Sequence, residues 1–289
     1  MQLRHILAAT DESEAGRQAV RSAVALAARA PAAAVTILRV IPEGPTPGQV
    51  MLRPGRTPDR MGDQDRSALA HLRRWLEGGV VSPDALEAAQ LGVAYGLPGI
   101  EICRVAEQVH ADLLVVGRKR HSPMARLLLG DTADAVARRS RIPCLFVPPG
   151  AGAPGTILVA LDGSDRGMSV LDQACDFARY ADATLTPVTV ERSLADEPLE
   201  LVSSVPGTRS VLLESRVHQA LAREGFDQTS LTVTYGDVVE RILVNIQETG
   251  ADVLVVGYHR GGAPGVLEAG SIARRLAHAA PCAVLTIPL

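Results

Sequence analysis

Acidic residues and glycines recur at matching places in two parts of this chain, and together they could hold a phosphate-bearing ligand. Each part has an aspartate at the end of one apolar run, a glycine at the end of another, and a second glycine thirteen residues further on. A glycine just before a helix lets a phosphate approach the free N–H groups and the positive end of the helix dipole. The residues concerned are Asp11 and Asp162, Gly117 and Gly257, and Gly130 and Gly270.

The match between the two parts extends well beyond these residues. The segment ILAATDES at 6–13 corresponds to ILVALDGS at 157–164, and DLLVVG at 112–117 corresponds to DVLVVG at 252–257. From Tyr95 and its match Tyr235 onward, the copies align without a gap. The sequence therefore predicts two tandem copies of one domain, at 1–149 and 154–289.

The Pro- and Gly-rich stretch between the copies matches a dinucleotide-binding motif in sequence but lacks the helix that the motif requires. Its glycines at positions 150, 152 and 155 satisfy the pattern G-x-G-x-x-G. That motif requires a helix to open at the third glycine, so that the helix N-terminus meets the pyrophosphate. Here the apolar run TILVAL follows instead, and we interpret the stretch as a linker.

Each copy alternates apolar runs with amphipathic segments, which predicts strands alternating with helices. Strands that are apolar throughout, each followed by a helix, favour a parallel sheet covered by helices on both faces. Ligands of such open sheets bind beyond the carboxyl ends of the strands, where Asp11 and Gly117 fall in the first copy. Residues 41–63, rich in Pro and Gly, are expected to form a long surface loop.

Composition and charge limit the kinds of partner that the protein is expected to bind and the cellular compartment in which it is expected to work. A net charge of −3 argues against nucleic acid or an anionic membrane surface as partner. No apolar stretch reaches the roughly 18 residues needed to cross a bilayer. The four scattered cysteines indicate a reducing compartment, so we expect a cytoplasmic protein. Neither a G-x-x-x-x-G-K-[ST] loop nor a G-x-S-x-G elbow is present, so the sequence offers no strong motif for phosphoryl or acyl transfer.

The strands, glycines and loop lengths of both copies resemble those of a tandem universal stress protein, over nearly the whole chain. Nucleotide-binding members of that family carry G-x-x-G, nine residues, and then G-[S/T]. The resemblance implies an α/β fold of two open five-stranded parallel sheets, each in the order 3-2-1-4-5 with helices on both faces. It further implies that ATP lies across the ends of strands one and four, and that the two domains pack as a pseudo-twofold pair through their last strands.

The resemblance also assigns candidate binding roles, and no catalytic ones. In the second copy, Asp162 and Val190 are expected to face the ribose and the adenine. The residues expected to line the phosphates there are Gly257, Arg260, Gly270, Ser271 and Ile272. The corresponding residues of the first copy are Asp11, Val40, Gly117, Arg120 and Gly130. The implied ligand is ATP or a related adenine nucleotide, with magnesium able to accompany it.

Both copies depart from the family motif where the phosphates are expected. Arginine replaces the second glycine of the motif, at Arg120 and Arg260. Two interpretations stay open: the side chain blocks the approach of phosphate to the backbone, or its guanidinium binds the phosphates instead.

The first copy departs further, because Asp131 stands where the second has Ser271. Two like unit charges about 4 Å apart repel by roughly 4 kcal/mol at an effective dielectric near 20. The positive end of a helix dipole stabilises a nearby anion by only about 0.3–1 kcal/mol. The repulsion between Asp131 and a phosphate therefore exceeds the stabilisation by the helix dipole, unless the basic residues at 118–121 compensate. Alternatively, Asp131 could itself fill the phosphate site as an internal anion. The second copy is the better candidate for a nucleotide site.

Simpler structural roles stay open for the same residues. Asp11 and Asp162 could cap the turn that follows each strand. Gly117 and Gly257 could serve only a sharp turn off the strand.

The sequence thus predicts a cytoplasmic stress-response protein that binds an adenine nucleotide, mainly in its second domain, and acts by binding and signalling rather than catalysis. The alternative is a dimeric interaction scaffold with both sites closed. A homodimer through sheet-edge and helix contacts is expected, because apolar sheet edges are rarely left exposed. Slow ATP hydrolysis is a third interpretation, although the sequence singles out no general base and no metal carboxylate.

Overall fold

The computed structural model describes residues 1–30, 32–42, 50–53, 62–118, 131–191, 208–258 and 271–289. The chain divides into two compact units, residues 2–153 and residues 154–289. They are called the first and the second domain below.

The first domain alternates strands with helices, as its hydrophobic pattern predicts. Its strands are β1 (His5–Thr10), β2 (Ala34–Ile41), β3 (Val50–Arg53), β4 (Gln90–Tyr95), β5 (Leu113–Gly117) and β6 (Cys144–Val147). Its helices are α1 (Glu14–Arg29), α2 (Asp63–Glu77), α3 (Pro83–Ala88), α4 (Pro98–Gln108) and α5 (Asp131–Arg139). The pattern does not predict the short α3, which is started by the Ser82 cap and by a proline in its first turn.

Five strands of the first domain are parallel, in the order β4-β2-β1-β5-β6, so the expected 3-2-1-4-5 arrangement is confirmed. A sixth strand, β3, pairs with the outer edge of β4 in the antiparallel sense. It falls within residues 41–63, where a continuous loop was the prediction, and the prediction is wrong for these four residues. The apolar segment VMLR satisfies its backbone groups by pairing with an edge that would otherwise offer unpaired N–H and C=O groups.

The second domain repeats the arrangement. Its strands are β7 (Thr156–Leu161), β8 (Thr184–Glu191), β9 (Thr232–Tyr235), β10 (Val253–Tyr258) and β11 (Ala283–Pro288). Its helices are α6 (Asp165–Ala181), α7 (Thr208–Arg223), α8 (Val238–Thr249) and α9 (Ser271–Ala279). These five strands are parallel in the order β9-β8-β7-β10-β11. Pairing of β8 with β9 begins at Val188, directly after Pro187, which has no N–H to donate.

An aspartate fastens the beginning of the central strand in both domains. Oδ2 of Asp112 accepts hydrogen bonds from the N–H groups of Arg4, at 2.8 Å, and His5, at 2.9 Å. Oδ2 of Asp252 accepts from Gly155, at 2.9 Å, and Thr156, at 3.0 Å. These contacts lie at the amino ends of the strands, opposite the candidate ligand site.

Replacing this aspartate is expected to cost stability and leave ligand binding unchanged. Asp252→Ala removes the shared acceptor of two backbone N–H groups, so we expect a loss of about 1–3 kcal/mol in the free energy of unfolding. Urea unfolding followed by circular dichroism measures this loss. Asp227→Ala is the control, because that exposed side chain bonds only its neighbour Gln228 among the described residues. Equal effects of the two substitutions contradict the assigned role of Asp252.

The matched tyrosines Tyr95 and Tyr235, each ending its strand, lie in different surroundings. Tyr95 is fully buried, and its hydroxyl donates a 2.9 Å hydrogen bond to Oδ1 of Asp65, a buried residue of α2. Tyr235 is 56% exposed. Burial, followed by the hydrogen bond to Asp65, raises the pKa of Tyr95 to about 12.

Tyr95→Phe is expected to destabilise the first domain by about 1.5–3 kcal/mol, because Oδ1 of the buried Asp65 carboxylate loses the Tyr95 hydroxyl as its donor. The folded pKa of Tyr95 lies above the ordinary tyrosine value of 10.0, so the stabilising contribution of its hydroxyl is present below pH 10 and is lost as the pH rises towards 12. Wild-type protein should therefore lose stability more steeply than Tyr95→Phe across that window. Denaturant unfolding from pH 8 to 12 tests this, with Tyr235→Phe as a control expected to change stability by less than about 0.5 kcal/mol. Parallel pH profiles for wild type and Tyr95→Phe contradict the prediction.

Candidate functional site

The strand register brings an aspartate, a valine and a glycine of each copy to one edge of the sheet. In the first domain, the register of β1 with β2 places Asp11 beside Val40. The register of β1 with β5 places Gly117 on the other side of β1. The second domain repeats this set with Asp162, Val190 and Gly257. Each set lies at the carboxyl ends of parallel strands, where the strand order reverses.

In the first domain, an Asp-x-Ser turn leads from β1 into α1. Ser13 is the N-cap of α1, and its Oγ accepts a hydrogen bond from the Gly16 N–H at 3.2 Å. Oδ1 of Asp11 accepts from the Ser13 N–H at 3.1 Å and from the Ser13 hydroxyl. The aspartate thus holds the capping serine in place with one of its two oxygens.

The second domain builds the same turn between β7 and α6. Oγ of Ser164 accepts from the Gly167 N–H at 3.0 Å. Oδ1 of Asp162 accepts from the Ser164 N–H at 2.9 Å and from its hydroxyl at 2.7 Å. Within the described ranges, Oδ2 of neither Asp11 nor Asp162 has a hydrogen bond, and both residues are exposed. One carboxylate oxygen in each domain is therefore available to a ligand.

The glycine of this turn is a site residue that the sequence analysis missed. A Cβ on Gly16 would lie 2.6 Å from Oγ1 of Thr10 and 2.9 Å from Oδ1 of Asp11. A Cβ on Gly167 would lie 2.5 Å from Oδ1 of Asp162. The shared pattern D-x-S-x-x-G at 11–16 and 162–167 is the signal that could have revealed it.

The two strand-end glycines, Gly117 and Gly257, are packed differently. Neither has a positive φ, so neither serves a left-handed turn. A Cβ on Gly117 would lie 2.4 Å from the carbonyl carbon and oxygen of Ala15, so the backbone of α1 rests directly on β5. A Cβ on Gly257 would instead meet side chains, at 2.7 Å from Cδ1 of Leu289 and 3.0 Å from Cγ2 of Val170. Close packing alone explains why Gly117 is a glycine.

Much of the expected phosphate site lies beyond the described residues. Arg120, Gly130, Arg260 and Gly270 all fall outside them. Ser271 is the first residue of α9, and Ile272 follows it with 43% of its surface exposed. The structure thus places the aspartate, the valine and the strand-end glycine of each site and leaves the contribution of the motif arginines a prediction.

Three cysteine thiols are not poised for chemistry at neutral pH. Burial raises the pKa of Cys103 to about 11 and the pKa values of Cys144 and Cys175 to about 12. The thiolate is the nucleophilic form of cysteine, so at neutral pH these three side chains are in the less reactive thiol form. In the part of the chain that the structure describes, no three His, Cys, Asp or Glu residues group to hold a metal ion. No described helix is both long and apolar enough to cross a membrane.

These features define a tandem α/β protein in which each domain carries an aspartate, a valine and a glycine at the carboxyl ends of its central parallel strands. The chain belongs to the universal stress protein family, whose model matches residues 2–148 and again residues 154–288. This confirms the prediction, made from the pattern of strands, glycines and helices, that the chain is a tandem universal stress protein.

Solved structures share the fold along the full length of the chain. A universal stress protein from Archaeoglobus fulgidus DSM 4304 superposes with a TM-score of 0.68 at 18% identity, over 100% of this chain and 99% of that chain. A putative universal stress protein from Pseudomonas aeruginosa UCBPP-PA14 has a TM-score of 0.62 at 20% identity, over 99% of this chain and 93% of its own. No curated protein sequence matches the chain significantly.

Proposed function

We propose that this protein binds ATP or a related adenine nucleotide in its second domain and serves a cytoplasmic stress response by binding and signalling rather than by catalysis. The observation that carries the proposal is the exposed carboxylate of Asp162, whose Oδ2 has no hydrogen bond to the described residues. A carboxylate oxygen at the carboxyl edge of the sheet accepts hydrogen bonds from hydroxyl groups such as those of a ribose. Val190 lies beside it and offers an apolar contact to a base.

The second domain is preferred because the valine at its candidate site is more exposed than the matching valine of the first domain. Val40 of the first domain is only 9% exposed, whereas its match Val190 is partly exposed. At the start of the last helix, the first domain has Asp131, an acid that repels phosphate, and the second domain has the neutral Ser271. Arg260 is then proposed to bind the phosphates through its guanidinium, with magnesium accompanying the nucleotide.

The absorbance of freshly purified protein tests this proposal first. With one tryptophan and four tyrosines, the protein absorbs weakly at 280 nm, so co-purified nucleotide gives a conspicuous excess at 260 nm. Calorimetric titration of ATP with magnesium into nucleotide-free protein follows, and one site per chain is expected. A protein-like spectrum together with no heat of binding refutes nucleotide binding.

A second candidate function is an interaction scaffold with both crevices closed. The packing of Gly117 against the backbone of α1 favours it, because that packing requires a glycine whether or not a ligand binds. Absence of nucleotide, combined with a stable homodimer in light scattering, supports the scaffold. We propose a homodimer through sheet-edge and helix contacts for either function, and a monomer at all concentrations contradicts it.

A further inference from the structure

The residue between the aspartate and the capping serine differs between the domains. In the first domain it is Glu12, with a left-handed φ of 64°, and in the second it is Gly163, with a φ of 76°. A left-handed conformation is unfavourable for a residue with a side chain and free of that penalty for glycine. Such a conformation persists where surrounding contacts stabilise it, and the contacts of Glu12 can do so.

The Glu12 carboxylate bridges the carboxyl end of β2 to α2. Its Oε1 lies 3.2 Å from a guanidinium nitrogen of Arg39, and its Oε2 lies 2.9 Å from Nε2 of His71. Its side chain is only 15% exposed, and its N–H donates to Oγ1 of Thr10 at 3.0 Å. The carboxylate therefore contacts β2 and α2, and the backbone N–H of the same residue is bound by β1.

The matching place in the second domain carries no such bridge. Gly163 has no side chain, and Thr189, the match of Arg39, turns its hydroxyl inward to donate to the carbonyl oxygen of Leu161 at 2.9 Å. The neighbour of Gly163 on α7 is apolar, with Cδ2 of Leu213 3.4 Å from the position a Cβ would take. Among the residues that the structure describes, neither an acid nor an ion pair stands in the place of Glu12 over β7 and β8.

We propose that Glu12 is a built-in anion that keeps adenine nucleotide out of the first domain; this inference rests on the proposed nucleotide site of the family fold. The bridge stands over the carboxyl ends of β1 and β2, where a ligand of this fold binds. Glu12 adds a carboxylate at this place, and it pairs with Arg39, so this cation is not available to attract an anionic ligand. Val40, the residue after Arg39, is correspondingly buried.

The test uses the full chain with its second site weakened by Asp162→Asn, so that a gain in nucleotide binding over this background reports the first domain. Asp131→Ser is added in every sample, which makes the start of α5 like that of α9. Equilibrium dialysis with labelled ATP and magnesium then compares this background with the same background carrying Glu12→Gly. We expect the affinity to rise about 100-fold or more on removal of Glu12, the change that several kcal/mol of like-charge repulsion corresponds to. Glu12→Gln, equal in size and neutral, should recover part of the gain.

A companion variant, Glu12→Gly with Arg39→Thr, reproduces the pair of the second domain and leaves no uncompensated cation. A gain in affinity of the companion variant over the Asp131→Ser background supports the inference. An affinity of the companion variant no higher than that of the background, while circular dichroism shows it folded, overturns it. Failure of the proposed function is a separate outcome, seen as no nucleotide in the second domain of wild-type protein.

Discussion

Gly117→Ala is expected to destabilise the first domain by about 3 kcal/mol, at the upper end of the cost of overpacking a core. The added methyl group would lie 2.4 Å from the carbonyl of Ala15 and 2.7 Å from the nitrogen of Gly16. Both are backbone atoms in the first turn of α1, so relief requires moving the helix off β5. The same shift disturbs the Asp-x-Ser turn that places Asp11.

Gly257→Ala is the matched control in the second domain, with an expected loss of about 1 kcal/mol or less. Its closest clash is with Cδ1 of Leu289, which is the end of a flexible side chain rather than a backbone atom. Fluorescence of Trp75, the single tryptophan, reports unfolding of the first domain, and circular dichroism reports both domains. Losses of equal size at the two glycines contradict the packing difference.

Asp162→Asn is expected to weaken ATP binding by roughly 10- to 100-fold, the equivalent of about 1.5–3 kcal/mol for a hydrogen bond to a charged group. Asparagine retains a carbonyl oxygen, which can still accept from the Ser164 N–H and hydroxyl and so preserve the turn. Its NH2 group replaces Oδ2, which has no hydrogen bond to the described residues, and this group cannot accept a hydrogen bond. The substitution therefore separates ligand binding from the structural role of the turn.

Asp11→Asn is the control, because it makes the same change in the domain that is proposed to be empty. Calorimetric titration of ATP with magnesium should give the wild-type affinity for Asp11→Asn. Equal weakening by both substitutions, or none by Asp162→Asn, contradicts the assignment of the site to the second domain.

The sequence predicts the fold well because the periodic signals are strong and occur twice. Apolar runs such as ILAAT and ILVAL, each followed by an amphipathic segment, leave a parallel sheet as the favoured solution. Strand β3 is not predicted, because its four residues lie within a Pro- and Gly-rich stretch and are too few to show a hydrophobic periodicity. It forms because the edge of β4 is there to pair with, which is tertiary information.

The site is predictable only as far as chain order encodes it. Asp11 and Val40 come together through strand register, which follows from the topology. The contacts of Glu12 with Arg39 and His71 join residues that are far apart in sequence, and no local pattern marks them. The same holds for Tyr95, buried in one copy although its match is exposed, because only the position of Asp65 on α2 explains the difference.

Hydrogen exchange with and without ATP and magnesium, resolved by peptide, tests most directly whether the second domain holds the nucleotide. Slower exchange is expected at residues 162–167 and 188–191 on adding ATP, with no change at residues 11–16. Exchange unaffected by ATP throughout the chain, or protection confined to residues 11–16, would contradict a nucleotide site at the carboxyl edge of the second sheet.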